Sequence, residues 1–164
     1  FLYYLKFVEA FAPKAVLIEN VPGIVSFENG QTVEAIISSL KSLGYNTKLK
    51  ILYAAHYGVP QMRWRAIFLA TKAGSPEPFH PLPTHLAEGR ANFTVSFKGE
   101  RLTTPSDLLK IHAGFEQISV KEAISDLPEI GNRGGQEEFD YTSNPASAYQ
   151  AQLRQGSRKI YNHM

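Results

Sequence analysis

The sequence predicts an α/β protein: helices around a mostly parallel sheet with an antiparallel hairpin at its edge, followed by an irregular α+β extension. Three observations lead there. A helix-spaced segment runs through a short link into the apolar run "AVLIE". A second helical pattern separates that run from two further strand patterns. Those last two strands are joined by a loop too short for a helical crossover, so they must pair antiparallel at one side of the sheet.

Each element follows from its own pattern. In "FLYYLKFVEAF" the residues Leu2, Leu5, Val8 and Phe11 recur at helical spacing and Pro13 follows, which predicts a helix over 1–11. Ala15 to Glu19 is a short continuous apolar run, as expected of a strand buried on both faces. It stops on Glu19 and Asn20 before a Pro-Gly turn, setting a carboxylate at a strand's carboxyl end, where open α/β sheets bind ligands. "GQTVEAIISSLKSLG" carries Val33, Ile36, Ile37, Leu40 and Leu43 on one face and stops at Gly44, suited to the left-handed position after a helix. "YNTKLKILYA" alternates as a strand does, "AAHYGVPQ" is a loop, and "RWRAIFLAT" is the next strand.

Four prolines in "GSPEPFHPLPTH" exclude regular structure and predict a boundary, with residues 1–74 on one side and 75–164 on the other. Beyond it, "NFTVSFKGERLTT" reads as a hairpin around Lys98-Gly99. Ser119 with Glu122 forms a reciprocal capping pattern, and the segment from Ala148 predicts a short helix. No internal repeat is present.

At 164 residues with 43% hydrophobic and 12% aromatic content, the chain can build a real core. Seventeen basic against fifteen acidic residues leave a net charge of +2, so any polyanion site must be local. The absence of cysteine excludes disulfides, thiolate metal sites and cysteine nucleophiles within this chain. No apolar run approaches the roughly 20 residues of a membrane span and no secretory signal opens the chain, so a soluble intracellular protein is expected. The first residue is Phe1, inside an amphipathic pattern, which suggests a fragment of something longer.

Two constellations carry chemistry. The first is Glu19-Asn20-Val21-Pro22-Gly23. The second is "PQMRWR", in which Gln61, Arg63 and Arg65 fall at every second position as a strand begins, and this period-two spacing points all three side chains to one face. Two guanidiniums entering an apolar strand need a counter-charge, since burying unpaired charge costs several kcal/mol. Glu19 and a phosphodiester are both candidates. His56 and Tyr57 are read as shaping the loop before the arginines. His80 and His85 lie among prolines at a spacing that suits no zinc motif, so no metal is expected. The sequon Asn92-Phe93-Thr94 reads as chance. For Arg154, Arg158 and Lys159 a solvated helix face is preferred to phosphate contact, and a DNA contact by Asn162 and His163 is only a secondary expectation.

"ENVPG" followed by "PQMRWR", in this order and at this separation, resembles the cytosine-C5 DNA methyltransferases with their Glu-Asn-Val and Gln-x-Arg-x-Arg motifs. "FHPLPTH", "VKEAISDLP" and "YNHM" are similar to the eukaryotic, maintenance-type members. The resemblance implies part of a doubly wound, Rossmann-like S-adenosylmethionine-dependent methyltransferase fold. Residues 1–74 would form the C-terminal half of the catalytic core, and 75–164 a linker and extension toward the target-recognition domain. It implies methyl transfer from S-adenosylmethionine to C5 of a cytosine flipped out of double-stranded DNA, in a nucleus.

By the same resemblance Glu19 hydrogen-bonds N3 and the exocyclic amine, Arg65 holds O2, and Arg63 braces the nucleophile's loop near the phosphates. Gln61 helps to fix that loop, Asn20 and Val21 complete the first motif with Asn20 holding its turn, and Leu2 lies near the methyl donor. The family's Pro-Cys motif is absent, and no Gly-x-Gly occurs. The nucleophile and most of the cofactor site would therefore lie outside these residues, and the isolated chain is expected to be inactive. Two alternatives stand beside this reading: a relative that keeps the fold and DNA affinity without the chemistry, and an unrelated α/β domain in which Glu19 and Arg65 are a mere ion pair.

Overall fold

A computed structural model describes residues 1–89, 93, 95–132 and 134–163. Helix α1 spans Leu2–Phe11 and ends where Ala12 turns left-handed (φ 43°), its N–H returning to Val8 O at 2.9 Å. Only Leu5 and Val8 of its predicted apolar face are buried; Leu2 and Phe11 are 66% and 76% exposed. Strand β1 (Ala15–Asn20) runs into Pro22, which opens a 3-10 turn through Val25. Helix α2 (Gln31–Ser42) buries Val33, Ile36 and Leu40 and stops at Gly44 (φ 85°), whose N–H bonds Lys41 O at 2.9 Å. Strands β2 (Tyr45–Tyr53) and β3 (Trp64–Lys72) follow.

The sheet differs from expectation in its order, β1-β3-β2. The antiparallel pairing of β2 with β3 is as predicted, but β3 lies between β1 and β2 and pairs antiparallel with both. β1 and β2 run the same way without touching, so this sheet holds no parallel pair. The composition of β3 explains its central place. Ala66, Phe68 and Ala70 are at most 1% exposed, and two small residues flanking one large ring let helices close over the strand. Burying Phe68 alone contributes about 1.5–3 kcal/mol.

α1 contributes Leu5 and Val8, and α2 Val33, Ile36 and Leu40, to one cluster with Val16, Ile51, Ala66, Phe68 and Ala70, so both helices cover the same sheet face. β1 is accordingly buried on one face only, and Leu17 on the other is 58% exposed. The proline-rich segment runs along that open face. Pro76 O accepts from Thr71 Oγ1 at 2.8 Å, Glu77 pairs with Lys48 at 3.0 Å, and His80 Nε2 meets Ile67 O at 2.9 Å.

Beyond it, β4 (His85–Leu86) pairs in parallel with β7 (Phe115–Glu116). β5 (Ser96–Phe97) and β6 (Glu100–Arg101) form the predicted hairpin, with Lys98 and Gly99 both left-handed (φ 50° and 80°), as a type I′ turn requires. Leu102 joins the main core, its carbonyl accepting from Ile51 N at 2.8 Å. Helix α3 spans Ser106–His112. Helix α4 (Val120–Ile124) carries the predicted Ser119–Glu122 capping box, and the hydroxyl and N–H of Ser119 hold the Glu122 carboxyl below its usual range. Helix α5 spans Ala148–Leu153, and β8 (Gln136–Asp140) pairs antiparallel with β9 (Lys159–His163). Asn92 and Thr94 of the sequon lie outside the described residues.

Arg154 and Lys159 are not the free cations weighed from sequence. Arg154 reaches Asp126 Oδ2 through Nε and Nη2 at 2.8 and 2.7 Å, bonds Ser143 O at 2.7 Å, and lies 3.7 Å over the Tyr141 ring. Lys159 bonds Asp140 at 2.9 Å and Glu138 at 3.0 Å, and these acids push its pKa up to about 12. Among the three, only Arg158 stays exposed without such a partner.

Arg154→Ala should destabilise the fold by about 3–5 kcal/mol, because it strands the Asp126 carboxylate, 4% exposed, without a cation. Replacing both by Met and Leu should cost far less, as read by urea midpoints.

Burial holds the pKa of His56 and of His80 below 6.5, and the cations Lys50 and Lys48 lower His80 further. With folded values depressed, the stability these neutral rings contribute is complete above about pH 6.5 and is lost as pH falls through the folded values. The urea midpoint should therefore fall on acidification below about pH 6.5, and His56→Gln with His80→Gln should flatten that part of the curve.

Candidate active site

The two sequence constellations meet. β1 and β3 are in register with Glu19 opposite Ile67 and Asn20 opposite Ala66, so Arg65 lies diagonally across from Glu19 on the open face. Arg65 Nε is in ion-pair contact with Glu19 Oε1, the arginine side chain 22% exposed and the glutamate 48%. The guanidinium is held from a second side, since its Nη1 donates to Trp64 O at 2.8 Å. Asn20 Oδ1 accepts from Val21 N at 2.8 Å, a local side-chain-to-backbone bond where the chain leaves β1 for Pro22. The acid thus sits where the strand ends.

Gln61 and Arg63 behave differently from expectation. β3 begins at Trp64, and before it Gln61 N bonds Val59 O at 2.7 Å and Arg63 N bonds Gln61 O at 3.0 Å. These i→i+2 bonds coil the chain in consecutive γ-type turns, and alternation does not apply to a coiled segment. Both side chains are exposed and only Arg65 is on the strand. The loop is closed by Ala54 N bonding Arg63 O at 2.8 Å.

His56 and Tyr57 do shape this loop. They lie in a 3-10 turn (Ala54–Tyr57), from which His56 Nε2 meets Ala87 O at 3.1 Å and Tyr57 Oη donates to Pro81 O at 3.1 Å. Burial raises the Tyr57 pKa. Gly58 follows with φ 75°, and a Cβ there would lie 2.7 Å from the His85 ring, so both backbone conformation and close approach require glycine.

Sequence reasoning missed one feature. The Trp64 indole stacks on Tyr53 at 4.4 Å and 24°, with His56 and Phe93 edge-on at 6.1 and 5.6 Å. The signal was available in the aromatic residue between the two arginines.

His80 and His85 bond Ile67 O and Thr84, and no group of three or more His, Asp or Glu side chains suited to a metal occurs among the described residues. Leu2, expected near the methyl donor, is an exposed apolar side chain at the start of α1. As a lone exposed apolar side chain it brings no polar group to a cofactor. Among the described residues no helix is long and apolar enough to cross a membrane.

The chain is 34% identical over 151 residues to DNA (cytosine-5)-methyltransferase PliMCI of Paracentrotus lividus, covering 92% of this chain and 9% of that protein. It is 35% identical over 167 residues to the type II methyltransferase M.DdeI of Desulfomicrobium norvegicum, covering 100% of this chain and 34% of the relative. The chain therefore spans a minor part of the relatives it matches. In fold it is similar to a crystal structure of a putative DNA modification methyltransferase encoded within an E. coli prophage, with a TM-score of 0.57 at 16% identity over 98% of this chain and 44% of that one. The family model for C-5 cytosine-specific DNA methylases matches residues 1–162, and the chain belongs to that family.

Proposed function

We propose that this chain is the part of a DNA (cytosine-5)-methyltransferase that grips the target base. The observation that carries the reading is the Glu19–Arg65 contact at the end of β1. An acid beside a guanidinium matches one edge of cytosine: Glu19 serves N3 and the exocyclic amine, and Arg65 the O2. Attack at C6 places charge on N3, and a preorganised acid there stabilises it. The base must leave the duplex to reach this position, at a cost of a few kcal/mol that these contacts offset.

The supporting roles follow from the same reading. Asn20 and Val21 keep the turn that presents Glu19, while Gln61 and Arg63, exposed in the coiled loop, face the nucleophile's loop and the DNA phosphates. S-adenosylmethionine supplies the methyl group in this reaction. Because the chain has no cysteine, the thiol that adds to C6 comes from residues outside these 164, and the isolated chain is inactive.

The three-stranded sheet is read as one end of a larger, doubly wound Rossmann-like sheet. β1 and β2 run the same way around α2, and the face opposite the helices is only partly covered. Residues 1–74 then complete the catalytic core, and 75–164 lead toward target recognition. Double-stranded DNA is the partner, in the nucleus of a eukaryote or the cytoplasm of a bacterium.

In the full-length protein, Glu19→Gln should slow methyl transfer by about 10²–10⁴-fold while DNA affinity stays nearly constant. Filter binding beside a radiolabelled-methyl assay checks this. Equal losses in both would assign Glu19 a structural role instead.

A further inference from the structure

We propose that Trp64 is a positioning residue for Arg65, acting through an aromatic clamp that fixes where β3 begins. The inference rests on the reading of Arg65 as a base-holding group and adds what holds that group still.

The chain arrives at β3 from a coil whose γ-type bonds set no strand phase. Something must decide which residue enters the ladder first, because a slip of one residue would turn Arg65 into the core. The first ladder pair is Tyr53 with Trp64. Their rings stack on the core face, Tyr53 is 2% exposed, and the 7% exposed His56 ring meets both edge-on. Gly89 closes the stack from outside. A Cβ there would lie 2.8 Å from the Tyr53 ring and 2.9 Å from the Trp64 ring, so its backbone presses on both. The bond between His56 Nε2 and Ala87 O ties down the segment that carries Gly89.

With the indole gripped on the core face, alternation sends Arg65 to the opposite one. The link is also direct, since Arg65 Nη1 donates to the carbonyl of Trp64 itself. A shift of the Trp64 peptide therefore moves the guanidinium relative to Glu19. A displacement of about 1 Å at a reacting group can cost about 100-fold in rate.

A double-mutant cycle in the full-length methyltransferase tests this, with kcat, KM for DNA and thermal midpoint recorded for each variant. Trp64→Leu should lower kcat by about 10- to 100-fold with little change in KM, and Trp64→Phe should recover most of it. In an Arg65→Lys background the same Trp64→Leu change should cost less than about 3-fold, because its effect passes through Arg65. Gly89→Ala should show a smaller loss with the same coupling, and it decides the matter if Trp64→Leu does not fold. Equal factors in both backgrounds would make the clamp merely structural and overturn the proposal. Wild-type rates for Arg65→Lys would remove the base-holding reading and the proposal with it, whereas loss at Arg65 without coupling removes the proposal alone.

Discussion

Glu19 and Arg65 are more than forty residues apart in sequence, and their contact depends on β3 lying between β1 and β2. Adjacent strands are about 4.8 Å apart, and diagonal neighbours across them are within reach of long side chains. Had β3 paired only with the outer edge of β2, two strand spacings of about 10 Å would separate the backbones. The central insertion removes that gap. It also forces antiparallel ladders on both sides of β3, which brings the start of β3 to the end of β1. The acid at a carboxyl end and the arginine at an amino end therefore share one rim of the sheet.

That insertion imposes demands on the rest of the chain. A central strand must be buried on at least one face, and Ala66, Phe68 and Ala70 meet this under α1 and α2. Its opposite face carries Arg65, Ile67 and Leu69, only partly covered, with the proline-rich segment bonded along it through Pro76 and His80. Polar function and apolar core are thus separated by alternation alone. One strand serves both, provided its phase is fixed at the first residue.

What was legible in the sequence was local. Helices α1 and α2, strands β1 to β3, the Lys98-Gly99 hairpin and the Ser119 capping box each follow from patterns within about fifteen residues. Sheet order was not legible, because the short β2–β3 loop requires antiparallel pairing yet leaves open which side of β2 is taken. Strand β8 was missed for another reason. "QEEFD" lacks apolar alternation and is held by cross-strand pairing, with Lys159 bonded to Glu138 and Asp140. Arg154 looked like a surface cation because its partner Asp126 lies 28 residues away. At the site, both members of the Glu19–Arg65 pair were identifiable as residue types in motifs. The alternation assigned to Gln61 and Arg63 failed because γ-type bonds intervene before the strand starts.

The energetics of the pair bear on how such a site would work. An ion pair this exposed stabilises the fold by at most about 1 kcal/mol, since water screens it and ordering two long side chains costs entropy. Parting it to admit a base is therefore a small cost beside the few kcal/mol of extracting a nucleotide from a duplex. The contact, on the proposed reading, keeps each group oriented through the other while no base is present, and the bond from Arg65 Nη1 to Trp64 O does not involve Glu19. On the proposed reading, Arg65 exchanges one acceptor for another without being reordered. That places the entropic cost of organising the site in the folding of β3, before any substrate arrives.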